Sequence, residues 1–207
     1  MQTDSLHTLI LFHAGLGGLA LLVGLGALIV VKGSALHKTF GKLFYYSMLG
    51  SAICSLYISV QDKHQNAFLF SIGVFTLYLI IGGKRALRFK QPQVNYTYDI
   101  LLALVMIGCG FLMVFVPTLI NGSVNIVLAV FGTGGMVLGV KDLRLFNHPN
   151  QMELAWQNLH IGKMVGGYIA AVTAFIVVNE LLPGIIGWLA PTVIGVGYIQ
   201  YQFRKKK

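Results

Sequence analysis

Seven apolar stretches, each close to the length a helix needs to cross a bilayer, constrain this chain more than any other feature. About 20 apolar residues are required to span roughly 30 Å of hydrocarbon as a helix. The stretches run over about 8–31, 43–61, 67–83, 100–120, 124–140, 157–179 and 184–203. In lipid the backbone must satisfy its own hydrogen bonds, so runs of this length predict helices. The expectation is an all-α polytopic bundle of seven transmembrane helices, with residues 1–207 forming a single integral membrane domain. Composition agrees. The chain is 56% hydrophobic and only 10% charged, with a mean hydropathy of +0.76. A soluble domain carries about a quarter charged residues, so much of this surface has hydrocarbon as its solvent.

Charge placement gives an independent test of the helix count. With the N-terminus outside, the inner segments hold Lys32, Lys38, Lys42, Lys84, Arg85, Arg88, Lys90, Lys141, Arg144, Lys163, Arg204, Lys205, Lys206 and Lys207. That is 14 of the 15 Lys and Arg, and only Lys63 falls outside. One missed helix would invert everything after it, so the bias supports seven spans with the C-terminus in the cytoplasm, in the inner membrane. The formal net charge of +9 therefore reads as topology and headgroup contact, with no nucleic-acid partner. The bilayer is the expected partner, with a membrane protein as a further one. Tyr45, Tyr46, Tyr96, Tyr98, Trp156 and Tyr201 are expected in an inner aromatic belt and Trp188 in an outer one. Residues 1–7 carry no Lys or Arg, so the first run reads as a retained helix and not as a signal peptide.

Small residues mark two helix faces. His13, Gly17, Ala20, Gly24 and Ala27 follow steps of 4, 3, 4 and 3, and His160, Met164, Gly167, Ala171 and Ala174 form a similar stripe. Such stripes let helices approach closely in lipid. Gly132, Gly134, Gly135 and Gly139 dilute the fifth run, and without a following Gly-Lys-Ser/Thr they read as tight packing or a kink rather than a phosphate loop. Pro191 is read as a kink. Asn121-Gly122-Ser123 matches a glycosylation site but reads as a tight turn. Cys54 and Cys109, lacking metal-type spacing, read as small buried hydrophobes. There is no internal repeat of the transporter kind.

The residues able to carry chemistry are mainly histidines. Each small stripe begins with one, which places His13 and His160 toward the interior. His7, His13 and His64 sort to the outer half, and His37, His148 and His160 to the inner half. Imidazole ligates haem iron or a transition metal, or relays protons. His13, His160 and His37 are the candidate cofactor-binding residues, with His7, His64 and His148 as further metal-ligand candidates. The alternative is that histidines in loops and at helix ends are ordinary there, and no compact HxxxH-type motif is present. Lys163 is placed one turn from His160, to snorkel inward, to pair with Asp142 or Glu153, or to hold an anionic headgroup. Asp99 and Glu180 are the other polar groups near the membrane, with Glu180 expected in solvent. No Ser-His-Asp set or carboxylate pair is visible as a motif, so the sequence neither assigns nor excludes an enzyme activity.

Three motifs carry a resemblance. His13-Ala14-Gly15-Leu16-Gly17 in the first helix, the loop His37-Lys38-Thr39-Phe40-Gly41-Lys42, and Trp156 through Met164 followed by Tyr168-Ile169-Ala170-Ala171 resemble a group of uncharacterised bacterial multi-pass membrane proteins. That group carries a His-(Arg/Lys)-x-x-Gly loop after its first helix. The resemblance covers most of the chain and implies location and fold rather than an activity. A looser likeness to cytochrome b561-type proteins rests on histidines near both faces, but the two clear histidine pairs on facing helices are absent here. Three functions follow as expectations: a membrane redox or metal-binding protein, a small transporter, or an accessory subunit of a membrane complex.

Overall fold

The computed structural model describes residues 2–91 and 93–205, with no side-chain description for residues 2–4, 149, 150 and 153. Seven α-helices follow one another: α1 (Gln2–Ile29), α2 (Ala35–Ile58), α3 (Ala67–Arg85), α4 (Thr97–Asn121), α5 (Ile126–Phe146), α6 (Pro149–Val178) and α7 (Gly184–Arg204). A 3₁₀ turn, Ala86–Arg88, extends α3. No strand occurs among the described residues. Among the described residues, five helical stretches are long and apolar enough to cross a membrane: Ser5–Ile29, Ala67–Arg88, Thr97–Asn121, Ile126–Phe146 and Leu154–Val178. Helices α2 and α7 have 24 and 21 residues. Serines and tyrosines make α2 more polar, as do Gln200 and Gln202 in α7.

Helix ends differ from the apolar runs where capping chemistry extends the helix into polar sequence. Ser34 caps α2, its hydroxyl accepting from the His37 N–H at 3.2 Å. Residues 37–42, which precede the apolar run at 43, are therefore the first turns of α2. Helix α6 begins at Pro149, well before the apolar run at 157, because proline fits the first helical position. At the end of α4, Gly122 takes the left-handed conformation (φ +65°). That is the tight turn expected at Asn121.

Contacts divide the chain into two compact units. The first comprises Met1–Asn66 and Val165–Lys207. Here the small stripe of α1 is a packing seam. A Cβ on Gly17 would lie 3.2 Å from Ser51 Oγ, and one on Gly24 would lie 2.6 Å from the Tyr168 ring. Ala20 is fully buried in the same seam. Leu22 and Ile29, off the stripe, are exposed. The His160 stripe of α6 likewise continues through buried Gly167 and Ala171.

The second unit is Ala67–Met164. Its helices α4 and α5 approach at backbone distance. A Cβ on Gly110 would stand 2.5 Å from the Gly132 carbonyl oxygen, and one on Gly139 would stand 3.0 Å from that of Ala103. This is why α5 is rich in glycine. Ala86, Phe89, Ala103, Phe146 and Met152 form a buried cluster. Tyr96 stacks on Phe146 with centroids 5.6 Å apart, and Trp156 packs against the same cluster. These two aromatics, expected in the inner belt, are drawn into a core. Tyr98 does stay exposed.

Candidate functional site

The densest concentration of buried charge lies in the second unit. Tyr78, Gly82 and Arg85 occupy one face of α3, at steps of 4 and 3. His160 and Lys163 do the same on α6, at a step of 3. Lys163 and Asp142 are 6% and 7% exposed, and Lys163 Nζ lies 2.6 Å from Asp142 Oδ2. The Tyr78 hydroxyl donates to that same oxygen at 2.6 Å. The ammonium also stands 3.8 Å from the centroid of the Tyr78 ring, a cation–π contact. No well-aligned hydrogen bond accompanies the Lys163–Asp142 contact, so charge and the aromatic face hold the ammonium.

Two glycines make room for this lysine. A Cβ on Gly82 would lie 3.0 Å from Lys163 Nζ and 3.1 Å from its Cδ, and one on Gly83 would lie 3.1 Å from Lys163 Cβ. The stem of Lys163 therefore lies along the bare backbone of α3. Beside it, Arg85 holds Asp99 at the start of α4 with two bonds, Nε to Oδ1 at 2.5 Å and a terminal nitrogen to Oδ2 at 2.7 Å. Asp99 is 3% exposed. Such a fork is the strongest guanidinium–carboxylate geometry. Two carboxylates thus face two cations, which offsets the cost of taking Asp99, Asp142 and Lys163 out of water beside the half-buried Arg85. Next to the pair, Tyr96 has its phenol pushed above the ordinary range, first by burial and then by the Asp99 carboxylate.

The candidate histidines are placed by backbone carbonyls. A carbonyl oxygen only accepts, so the ring nitrogen facing it carries the proton. His160 Nδ1 donates to Gly83 O at 2.7 Å, His37 Nδ1 to Ala27 O at 3.0 Å, and His148 Nδ1 to Arg144 O at 2.8 Å. All three acceptors lie in the last turn of a helix, where carbonyls lack intrahelical partners. These imidazoles therefore close the ends of α3, α1 and α5. His13 differs: its Nδ1 donates to Ser51 O at 2.9 Å in mid-helix, and Ser51 Oγ donates back to His13 O at 3.2 Å. His7 and His64 are exposed.

In each case the Nδ1–H bond leaves Nε2 as the basic nitrogen, the orientation a metal-ligating histidine adopts. The donor set itself does not fit a metal centre. Among the described residues, no three His, Cys, Asp or Glu side chains come together. Within the first unit, His13 sits on α1 and His37 is tied to Ala27 of the same helix, about 20 Å further along at 1.5 Å per residue.

The structure selects Asp142 from the partners considered for Lys163, while the Glu153 side chain lies outside the described residues. Glu180 is exposed, as expected. The sequence reading missed Tyr78 and the Arg85–Asp99 fork. The spacing of Tyr78, Gly82 and Arg85 is the available signal, and from the sequence Arg85 reads as a topology charge. No protein-family model, curated protein or solved structure matches the chain. The resemblance to bacterial multi-pass proteins therefore rests on its motifs alone.

Proposed function

We propose that this chain is a seven-span protein of the inner membrane, with its N-terminus outside and its C-terminus in the cytoplasm. We propose further that it is a small proton-linked transporter working through Asp142, Lys163 and Tyr78. The observation that carries this reading is the buried Lys163–Asp142 pair. An ionisable group within a membrane span is costly and marks an ion or proton path by default. The pair has simple proton chemistry. A proton moving from Lys163 Nζ to Asp142 leaves an amine and a carboxylic acid, both neutral, with no change in total charge. A proton added to the ion pair instead leaves Asp142 neutral and the ammonium without its counterion, ready for an anionic solute. Tyr78 positions Asp142, and Arg85–Asp99 and His160 fix α4 and α6 against the end of α3.

Two other readings stand behind this one. A redox protein would bind haem or a transition metal through His13, His37 or His160. The carbonyl-held Nδ1 atoms favour that orientation, but among the described residues no three His, Cys, Asp or Glu side chains gather to complete a metal-ion site. A Soret band or a stoichiometric metal in the purified protein would put it first. An accessory subunit needs no proton path, and a stable partner in gentle detergent supports it. The deciding experiment uses proteoliposomes carrying an internal pH dye and a panel of small anionic solutes. The transporter reading expects solute-dependent proton movement that Asp142→Asn abolishes. A flat response across the panel, from protein shown to be folded, overturns it.

A further inference from the structure

In the first unit, α1, the C-terminal half of α6 and α7 enclose an open cavity of about 400 Å³. Leu25, Ile29, Ile169, Ile176, Pro191 and Ile194 are among its lining residues. The two tyrosines on its wall have their hydroxyls committed elsewhere. Tyr168 donates to Leu21 O at 3.3 Å and Tyr198 to Leu28 O at 2.9 Å. The cavity therefore presents hydrocarbon to whatever fills it. Along α6 the lining runs from Val165 to Ile176, about 16 Å at 1.5 Å per residue. One leaflet of a bilayer core has about that depth, half of roughly 30 Å.

Cations stand toward one end. Lys32 Nζ lies 5.7 Å from the centroid of Tyr198, itself a lining residue. The Lys32 ammonium donates to the carbonyls of Ala27, Leu28 and Val30. It is thereby held in place as a fixed point charge. On α7, Pro191, Ile194, Tyr198, Tyr201 and Lys205 fall on one face at steps of 3, 4, 3 and 4. Lys205 Nζ stands 6.0 Å from the Tyr201 ring. An apolar groove one leaflet deep, with Lys32 beside its lining residue Tyr198 and Lys205 further along the same face of α7, matches a phospholipid in both length and charge.

We infer that this groove holds an acyl tail of an anionic phospholipid, with Lys32 and Lys205 facing the headgroup phosphate. The inference rests on the membrane reading above, and flotation of the protein with vesicles checks that reading separately. The test places the full chain in phosphatidylcholine vesicles doped with spin-labelled phosphatidylglycerol or spin-labelled phosphatidylcholine. The readout is the motionally restricted lipid component. Restricted phosphatidylglycerol should exceed restricted phosphatidylcholine by about fivefold per lysine. Lys32→Gln with Lys205→Gln should remove that preference, and these changes lie outside the packed seam. Ala190→Phe, which narrows the groove, should reduce the restricted component of both lipids. Equal restriction of the two lipids by the wild type overturns the inference. So does a preference that survives the double lysine change, or a self-association through the groove that excludes lipid.

Discussion

Replacing Asp142 by Asn keeps the shape of the side chain and removes the carboxylate in contact with Lys163 Nζ. Both groups are more than nine-tenths buried, so the ammonium cannot turn to solvent without moving α6 off Gly82 and Gly83. Leaving one charge of a buried pair uncompensated costs about 3–5 kcal/mol. Lys163→Met should cost less, because Asp142 keeps the Tyr78 hydroxyl at 2.6 Å. We place it at about 1–3 kcal/mol, the penalty for an under-satisfied buried group. The double variant should recover most of the loss. Replacing a buried pair with groups of similar volume is often neutral, and coupling between contacting residues is about 0.5–3 kcal/mol. Reversible unfolding of the full chain in mixed micelles measures all three variants. An Asp142→Asn loss below about 1 kcal/mol, or strict additivity in the double variant, would refute the claim that the two charges depend on one another.

The other predictions concern packing and capping. Arg85→Lys keeps the charge but loses the two-bond fork to Asp99, and should destabilise the protein by about 1–3 kcal/mol in the same unfolding assay. Gly110→Ala places a methyl 2.5 Å from the Gly132 carbonyl oxygen. It should cost about 1–3 kcal/mol by forcing α4 and α5 apart, visible as faster hydrogen exchange in both helices. Ser34→Ala removes the cap of α2 and should cost about 1 kcal/mol, with amide exchange rising at His37 first.

The sequence carried the helical pattern and the faces that pack, because both depend on local spacing. The α1 stripe from His13 to Ala27 is the seam the structure uses, and the glycines of α5 do meet α4. Helix ends were less legible: Ser34 and Pro149 start helices inside polar sequence, where an apolar run gives no signal. The histidines were found as residues, but their roles depend on carbonyls far along the chain. Gly83 is 77 residues from His160, and no periodicity links them. Tyr78 was lost for the same reason, as one aromatic within an apolar run until α5 brings Asp142 to it. Arg85 looked like a topology charge because its partner, Asp99, lies across the connection to α4.

The claim that Asp142 exchanges a proton, rather than serving as a fixed counterion, can be read from infrared difference spectra of the reconstituted protein. The proposal predicts a carboxylic-acid C=O band that grows when a pH gradient with a transported anion is imposed. That band should be missing in Asp142→Asn and shifted in Tyr78→Phe. A wild-type spectrum with no such band under any gradient or anion would mean that Asp142 stays ionised. The cluster would then be a structural clamp, contradicting the account.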